Sequence, residues 1–153
     1  MMQKSFIILF LFIGNLAAAE QVSAHKAGAS FSETLAIHLH AIQKRDLQAF
    51  ISTITTDDNI ILIYPNGTCI EGRAAYLKEM EDWFADPNWR LTYSIRKVNE
   101  SKEMATALLL FSYDEESPGK PARHLDHFLF LVFQNQSGEW RLIHDQNTVT
   151  RLK

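Results

Sequence analysis

The amino-acid sequence predicts an α+β domain in which three N-terminal helices pack in the concavity of a strongly curved, mostly antiparallel sheet. Two observations support this fold class. Apolar residues recur at helical spacing in the first half of the chain, whereas from Trp89 onward they form four long β-rich segments. Short polar turns separate these segments, which is typical of an antiparallel meander. We expect the bent sheet to enclose a cone whose open end could admit a ligand.

The chain begins with a segment that is typical of a secretory signal. Lys4 precedes the apolar run SFIILFLFIGNLAAA, which ends in the small residues of a cleavage site. Residues 1–19 are therefore expected to be a signal peptide, with a second candidate cleavage position after Ala24. This predicts an exported protein, periplasmic or secreted, that has no membrane contact after signal removal. Residues 20–30 are small and polar and are expected to form a flexible mature N-terminus.

The three predicted helices follow from apolar spacing. Ser30 and Glu33 form a capping-box pattern directly before an amphipathic helix over residues 31–45. A shorter helix is expected over residues 47–54, and a third over residues 73–84. In each helix the apolar residues fall on one face, which predicts that this face packs against the sheet.

A hairpin and four long strands account for the rest of the chain. The stretch IILIYPNGTCIEG places an Asn66-Gly67 turn between two β-rich runs, which predicts the hairpin. The long strands are expected over residues 89–98, 103–114, 123–134 and 139–149.

Composition restricts the classes of function. The chain has 46% hydrophobic and 22% charged residues, as ordinary globular domains have. A net charge of −3 without a basic run makes nucleic acid an unlikely partner. Cys69 is the only cysteine, so no intrachain disulfide can form. There is no phosphate loop, dinucleotide fingerprint, GxSxG elbow or HExxH spacing, and we therefore predict no cofactor and no metal site.

Three stretches of the sequence resemble the SnoaL-like part of the nuclear-transport-factor-2-like superfamily, which includes ketosteroid isomerases and polyketide cyclases. They are KRDLQAFISTITTDD, YPNGTCIEGRAAY and GEWRLIHDQNT. The resemblance implies a single SnoaL-like domain over residues 31–153 with a cystatin-like, cone-shaped fold. It also implies a homodimer through the outer face of the sheet, to which Ile143 and Val149 would contribute.

The last two strands supply the candidate site. Pairing residue 134 with residue 140 places a set of aromatic and polar side chains on one face. This set comprises Asp126, Phe128, Phe130, His144 and Gln146. Beside two phenylalanines, Asp126 would be partly desolvated, which would raise its pKa and suit it to act as a general base or acid. The alternative is that it lies fully hydrated at the rim of the sheet. His144 could carry a proton, although a buried histidine bonded to a backbone carbonyl is the alternative.

Gln146 and four further side chains could contact a ligand in the same pocket. Gln146 could orient a ligand carbonyl, or make an ordinary structural hydrogen bond. His38 lies on the apolar stripe of the first helix and would face the interior, where it could equally be a core histidine. Tyr64, Trp83 and Trp89 are large amphipathic groups that could surround the cavity or pack in the core.

Two classes of function remain open at the level of sequence. The first is an exported binding module that holds a small apolar or carbonyl-containing ligand in a non-catalytic or accessory role. The second is a cofactor-free acid–base enzyme of isomerase, cyclase or dehydratase type that uses Asp126 and His144. The set of acid–base groups is incomplete in the sequence, which favours the binding module. A shared cavity for Asp126 and His144 would favour the enzyme.

Overall fold

The computed structural model describes residues 28–150, so the predicted signal peptide lies outside the described residues. The described chain is an α+β domain, as predicted, with its helices preceding the long strands. The helices are α1 (Phe31–Lys44), α2 (Leu47–Ile51) and α3 (Arg73–Ala85). The strands are β1 (Ile61–Ile63), β2 (Cys69–Glu71), β3 (Trp89–Glu100), β4 (Met104–Glu115), β5 (Arg123–Gln136) and β6 (Glu139–Val149).

Helix α1 begins at the predicted capping box. The Ser30 side chain accepts a hydrogen bond from the Glu33 backbone N–H, and the Glu33 carboxylate accepts one from the Ser30 backbone N–H at 2.8 Å. These two bonds satisfy donors that the first helical turn would otherwise leave free. The helix ends at Arg45, whose φ of 54° is left-handed and whose N–H bonds the carbonyl oxygens of Ala41 and Ile42.

Helix α2 is shorter than predicted because the chain after it turns toward the sheet. The Leu142 backbone N–H donates to the Thr53 carbonyl at 2.8 Å, and the Thr55 N–H donates to the Leu142 carbonyl at 3.0 Å. The N–H groups of residues 52–54 still bond back to the preceding turn, whereas the Thr53 carbonyl and the Thr55 N–H bond to β6 instead of continuing the helix. The helix therefore stops at Ile51, and the segment after it extends the edge of the sheet.

The N-cap of helix α3 is Gly72, at a position that only glycine can occupy. Gly72 has φ 88° and ψ 148°, and a Cβ there would lie 3.0 Å from Asp58 Oδ1. The close approach of Asp58 to Gly72 stabilises the first turn of the helix, because Asp58 Oδ1 accepts a hydrogen bond from the Arg73 N–H at 2.7 Å. Asp58 thus replaces the N-cap side chain that glycine lacks.

The six strands form one sheet in the order β2-β1-β6-β5-β4-β3. Strands β3 to β6 are the predicted antiparallel meander. The predicted hairpin of β1 and β2 is also present, and β1 joins the meander by pairing parallel to β6. This parallel pairing brings the middle of the chain next to its last strand.

The sheet has a concave face, covered by the helices, and a convex face. On β5 the residues with odd numbers between 127 and 133 are buried, whereas their even-numbered neighbours are half-buried or exposed. Phe31 of α1 packs on Phe133 with ring centroids 5.4 Å apart, which places the odd-numbered side chains on the concave face. None of the helices between residues 28 and 150 is long and apolar enough to cross a membrane.

Candidate functional site

A cavity of about 340 Å³ lies between the helices and the concave face of the sheet. Its wall is mostly apolar and aromatic, with a small number of polar side chains. The apolar and aromatic lining residues are Ile42, Phe50, Leu62, Tyr64, Pro65, Met80, Trp83, Phe111, Tyr113, Leu125 and Leu129. The polar lining residues are Glu79, Asp82, Arg123, His127, Asp145 and Asn147. An apolar cavity with a few polar groups is the usual form of a small-molecule site.

An extra residue in β6 decides which polar groups of that strand reach the cavity. Val132 of β5 lies opposite His144, but the next residue, Phe133, lies opposite Leu142, so Ile143 has no partner in the ladder. This β-bulge reverses the alternation of β6. Leu142 faces inward before the bulge, and Asp145 faces inward after it, although the two are an odd number of residues apart.

Asp145 is the most unusual group in the cavity, because its carboxyl group is buried without a cationic partner in the part of the chain that the structure describes. The residue is 8% exposed. Its carboxylate oxygens accept hydrogen bonds from the Tyr76 hydroxyl at 3.3 Å and from Asn147 Nδ2 at 3.0 Å. Burial disfavours the charged form and raises the pKa of Asp145 to about 7, against the smaller lowering effect of the two hydrogen bonds.

Helix α3 presents one face to this site. Tyr76, Glu79, Met80 and Trp83 recur at spacings of three and four residues, so all four side chains lie on the same side of the helix. Tyr76 is fully buried, and its pKa lies well above the usual value because of burial and the nearby Asp145. It therefore stays protonated and keeps donating to the carboxyl group.

A second tyrosine–carboxylate pair lies on the cavity wall. The hydroxyl of Tyr64, in the turn after β1, donates to Glu79 Oε2 at 3.0 Å. Burial and the Glu79 carboxylate both raise the pKa of Tyr64, so this hydroxyl also remains protonated. The bond ties the β1–β2 turn to helix α3 across the cavity wall.

His127 faces the cavity from β5. It is 7% exposed, and its Nδ1 has no hydrogen-bond partner among the described residues. Burial lowers the pKa of the imidazole, which keeps the ring neutral. The ring lies 5.5 Å from that of Phe111. The Nδ1 atom is itself buried and does not reach the cavity surface, so His127 contributes a neutral ring to the wall rather than a hydrogen-bonding nitrogen.

The predicted register of β5 and β6 was wrong, and with it the predicted site face. Phe130 lies opposite Gln146 rather than opposite residue 144, and Gln134 lies opposite Arg141 rather than opposite residue 140. One residue of the difference arises at the turn, where Gln136 lies opposite Glu139, and the bulge at Ile143 adds the second. Five predicted site residues lie on the convex face, away from the cavity: Asp126, Phe128, Phe130, His144 and Gln146.

Asp126 has the opposite electrostatic environment from the predicted one. It accepts a hydrogen bond from the Ser112 hydroxyl at 2.5 Å and lies 3.5 Å from His124 Nε2. The Ser112 bond, followed by the His124 charge, lowers the pKa of Asp126 rather than raising it. His144 and Gln146 contact each other at 3.3 Å on the same face. The proposed acid–base pair therefore has no shared cavity.

The remaining predicted residues divide between the cavity and the core. Tyr64 and Trp83 line the cavity. Trp89 is buried in the core, where its indole N–H donates to the Trp83 carbonyl at 2.7 Å. His38 is fully buried and bonds Thr53 Oγ1 through Nδ1 at 2.8 Å, and burial lowers its pKa to about 3. His38 is thus a neutral core histidine rather than a lining residue.

Sequence reasoning did not identify Asp145, Asn147, Tyr76 or Glu79 as site residues. The spacing of Tyr76 and Glu79 on α3 could have suggested a polar stripe beside Met80 and Trp83. Nothing in the sequence around Ile143 marks a bulge, so the inward orientation of Asp145 had no signal. No group of three or more His, Cys, Asp or Glu side chains within residues 28–150 is placed to hold a metal ion.

The sequence model of the SnoaL-like domain matches residues 32–150, which is most of the chain. This chain belongs to the SnoaL-like domain family. No curated protein sequence matches it significantly.

Solved structures show the same fold as this SnoaL-like domain at low sequence identity. A ketosteroid isomerase-like protein from Erwinia carotovora atroseptica is 16% identical with a TM-score of 0.63, and the match covers 79% of this chain and 94% of that one. A CaMKII hub from S. rosetta is 16% identical with a TM-score of 0.62, covering 78% and 93%. An uncharacterized Caulobacter vibrioides protein with a cystatin-like fold is 15% identical with a TM-score of 0.62, covering 78% and 87%.

The raised pKa of Asp145 predicts that this carboxyl group lowers stability at alkaline pH. The folded state holds the proton up to about pH 7, whereas the unfolded chain releases it near 3.8. The tighter proton binding of the folded state stabilises it fully at pH values below the pKa of Asp145 in the unfolded chain. This stabilisation is lost as the pH rises through about 7. Asp145→Asn removes this pH dependence. The difference in the free energy of unfolding between the variant and the wild type should therefore be up to about 4 kcal/mol more favourable to the variant at pH 8 than at pH 4.

Urea denaturation of both proteins at pH 4 and pH 8 measures this difference. Asp126→Asn is the matched control, since it makes the same chemical change on the other face of the sheet and at a carboxyl group with a lowered pKa. An Asp145→Asn effect that is independent of pH would contradict the assignment of Asp145 as a buried, proton-holding group.

Proposed function

We propose that this SnoaL-like domain is an exported protein that binds a small, mostly apolar ligand in the cavity, with the polar part of the ligand at Asp145. One observation carries the proposal: the largely aromatic wall of the cavity includes a buried carboxyl group that has no cationic partner among the described residues. Burying such a group lowers stability, and a purely structural role would be served equally well by an apolar residue. A ligand that bonds to the carboxyl group offsets that penalty.

The N-terminal sequence supports the proposal of export. A basic residue, an apolar run and a small-residue cleavage site precede the SnoaL-like domain, which starts at the capping box of Ser30. The chain between the cleavage position and Ser30 would then be the mature N-terminus.

Native mass spectrometry of the protein purified from the exported fraction tests both statements together. The denatured mass should correspond to a chain that starts at Glu20 or His25. The native mass should exceed it by that of a ligand of a few hundred daltons at most, because the cavity measures about 340 Å³. Leu129→Trp, which fills the cavity from β5, should abolish the extra mass. A chain that retains Met1 contradicts export, and an extra mass that survives Leu129→Trp contradicts the location of the site.

A second candidate function is acid–base catalysis on a carbonyl compound, and the protonation of Asp145 favours it. A carboxyl group with a pKa of about 7 is divided between its acid and base forms at neutral pH, which suits it to proton transfer in both directions. Tyr76 and Asn147 would hold it in place through their hydrogen bonds. In this candidate function Asp145 takes the role that the sequence had suggested for Asp126.

Exchange of carbon-bound hydrogen in D₂O tests this second candidate. Small aryl ketones incubated with the protein should take up deuterium next to the carbonyl group, as followed by NMR. Asp145→Asn should reduce the rate by at least about a hundredfold, because general acid–base groups contribute roughly 10²–10⁴-fold. Asp126→Asn should leave the rate unchanged. Exchange that is equally fast with Asp145→Asn would exclude Asp145 as the proton carrier.

We also propose a homodimer through the convex face. The residues that carry it differ from those expected from the sequence, since Ile143 is the bulge residue and Val149 lies opposite the inward-facing His127. An apolar patch instead crosses the middle of the face, where paired residues of β4 and β5 present adjacent side chains. The patch consists of Leu108, Leu110, Phe128, Phe130 and Val132. Phe130 is 36% exposed at its centre, and a second copy of the chain would cover it.

Sedimentation at micromolar concentration checks the dimer. The wild-type protein should sediment as a dimer and Phe130→Glu as a monomer, because a buried, unpaired carboxylate in the interface is strongly unfavourable. Val98→Glu is the control, since Val98 is also exposed, at 43%, but lies opposite Ala107 and outside the patch. A Phe130→Glu variant that remains dimeric would move the interface to another surface.

A further inference from the structure

The cavity wall offers a ligand more hydrogen-bond acceptors than donors. The hydroxyls of Tyr64 and Tyr76 already donate to the carboxylates of Glu79 and Asp145. The amide nitrogen of Asn147 also donates to Asp145. The oxygen atoms of the two carboxyl groups keep unused lone pairs, because each accepts fewer bonds than a carboxylate can. The wall is therefore arranged to receive a ligand that donates hydrogen bonds.

Within residues 28–150, little positive charge faces the interior of the cavity. His127 is held neutral by burial. Arg123 lies at the start of β5 and is exposed, so water screens its guanidinium group. Lys78 is exposed and pairs at 2.5 Å with the cavity-lining Asp82, so its charge is already matched by a carboxylate and screened by water. Among the described residues no cation forms an ion pair with Asp145 or Glu79.

Aromatic rings form much of the rest of the wall. Phe50, Tyr64, Trp83, Phe111 and Tyr113 all line the cavity. The faces of such rings carry partial negative charge, which attracts organic cations. Trp83 is fixed in position by stacking on Trp89, with ring centroids 4.5 Å apart and planes 15° from parallel. The aromatic wall and the buried carboxyl group therefore both favour a positively charged ligand.

We propose that the ligand of this cavity is an amine, whose ammonium group binds at the Asp145 carboxylate while its apolar part packs against the aromatic wall. The inference rests on the proposed function, since it names the class of ligand for the same site. It identifies the missing cationic partner of Asp145 as part of the ligand. The inference also explains why Glu79 lies on the same face of α3 as Tyr76. From that face Glu79 directs a second carboxylate, and Tyr76 a hydroxyl, toward one site.

Three compounds with one skeleton test the proposal by isothermal titration calorimetry on the full mature protein. They are 1-phenylethylamine, 1-phenylethanol and acetophenone, which differ only in the polar group and are small enough for the cavity. The amine should bind at least about tenfold more tightly than the alcohol and the ketone, because only the amine forms an ion pair with a desolvated carboxylate. Asp145→Asn should remove that advantage and leave the affinity for the alcohol within about threefold of the wild-type value.

The outcomes separate this inference from the proposed function. Asp126→Asn should bind all three compounds as the wild-type protein does. If the alcohol or the ketone binds as tightly as the amine, or if Asp145→Asn retains the preference for the amine, the amine inference is overturned and the cavity remains a ligand site. If none of the three compounds binds, both the inference and the proposed function fail.

Discussion

The site depends on a single unpaired residue in the last strand. Ile143 interrupts the ladder between β5 and β6, and the interruption changes the face to which every following residue of β6 points. Without it, His144 and Gln146 would continue the inward series that Trp140 and Leu142 begin. With it, the carboxyl group of Asp145 enters the cavity and two polar side chains move to the convex face. The bulge also lies where β6 changes neighbours, from the segment after α2 to strand β1.

The carboxyl group that the bulge turns inward is kept in a balance between burial and hydrogen bonding. Burial alone would hold the proton tightly, whereas the bonds from Tyr76 and Asn147 stabilise the charged form. Both donors are themselves fixed, Tyr76 by the packing of α3 and Asn147 by its place two residues along the same strand. The result is a group whose charge responds to what occupies the cavity. A chain selected for stability alone would place a leucine or valine there.

Sequence patterns were sufficient to predict the fold because its elements follow local rules. The capping box at Ser30, the stripe of α1 and the polar turns between the long strands each determine one boundary through contacts within a few residues. The site was not predictable in the same way. Both faces of β5 are apolar, so alternation does not show which side of β5 or β6 faces the helices. The register of β5 and β6 is needed to determine the inward face. That register depends on a bulge that the residues around Ile143 do not predict. Tyr64 and Trp83 line the cavity even so, because neither side chain depends on the register of β5 and β6.

The parallel pairing of β1 with β6 gives the domain a definite order of completion. The helices and the β1–β2 hairpin are made early in synthesis, but the wall that holds Asp145 forms only when the final strand inserts between β1 and β5. Until then β1 has a free edge, and the cavity lacks one side. A chain that is still emerging from the ribosome therefore cannot retain a ligand in this pocket. The pocket can therefore be occupied only in the complete fold. A compound that binds there would stabilise the product of the last folding step, the insertion of β6, rather than that of an earlier step.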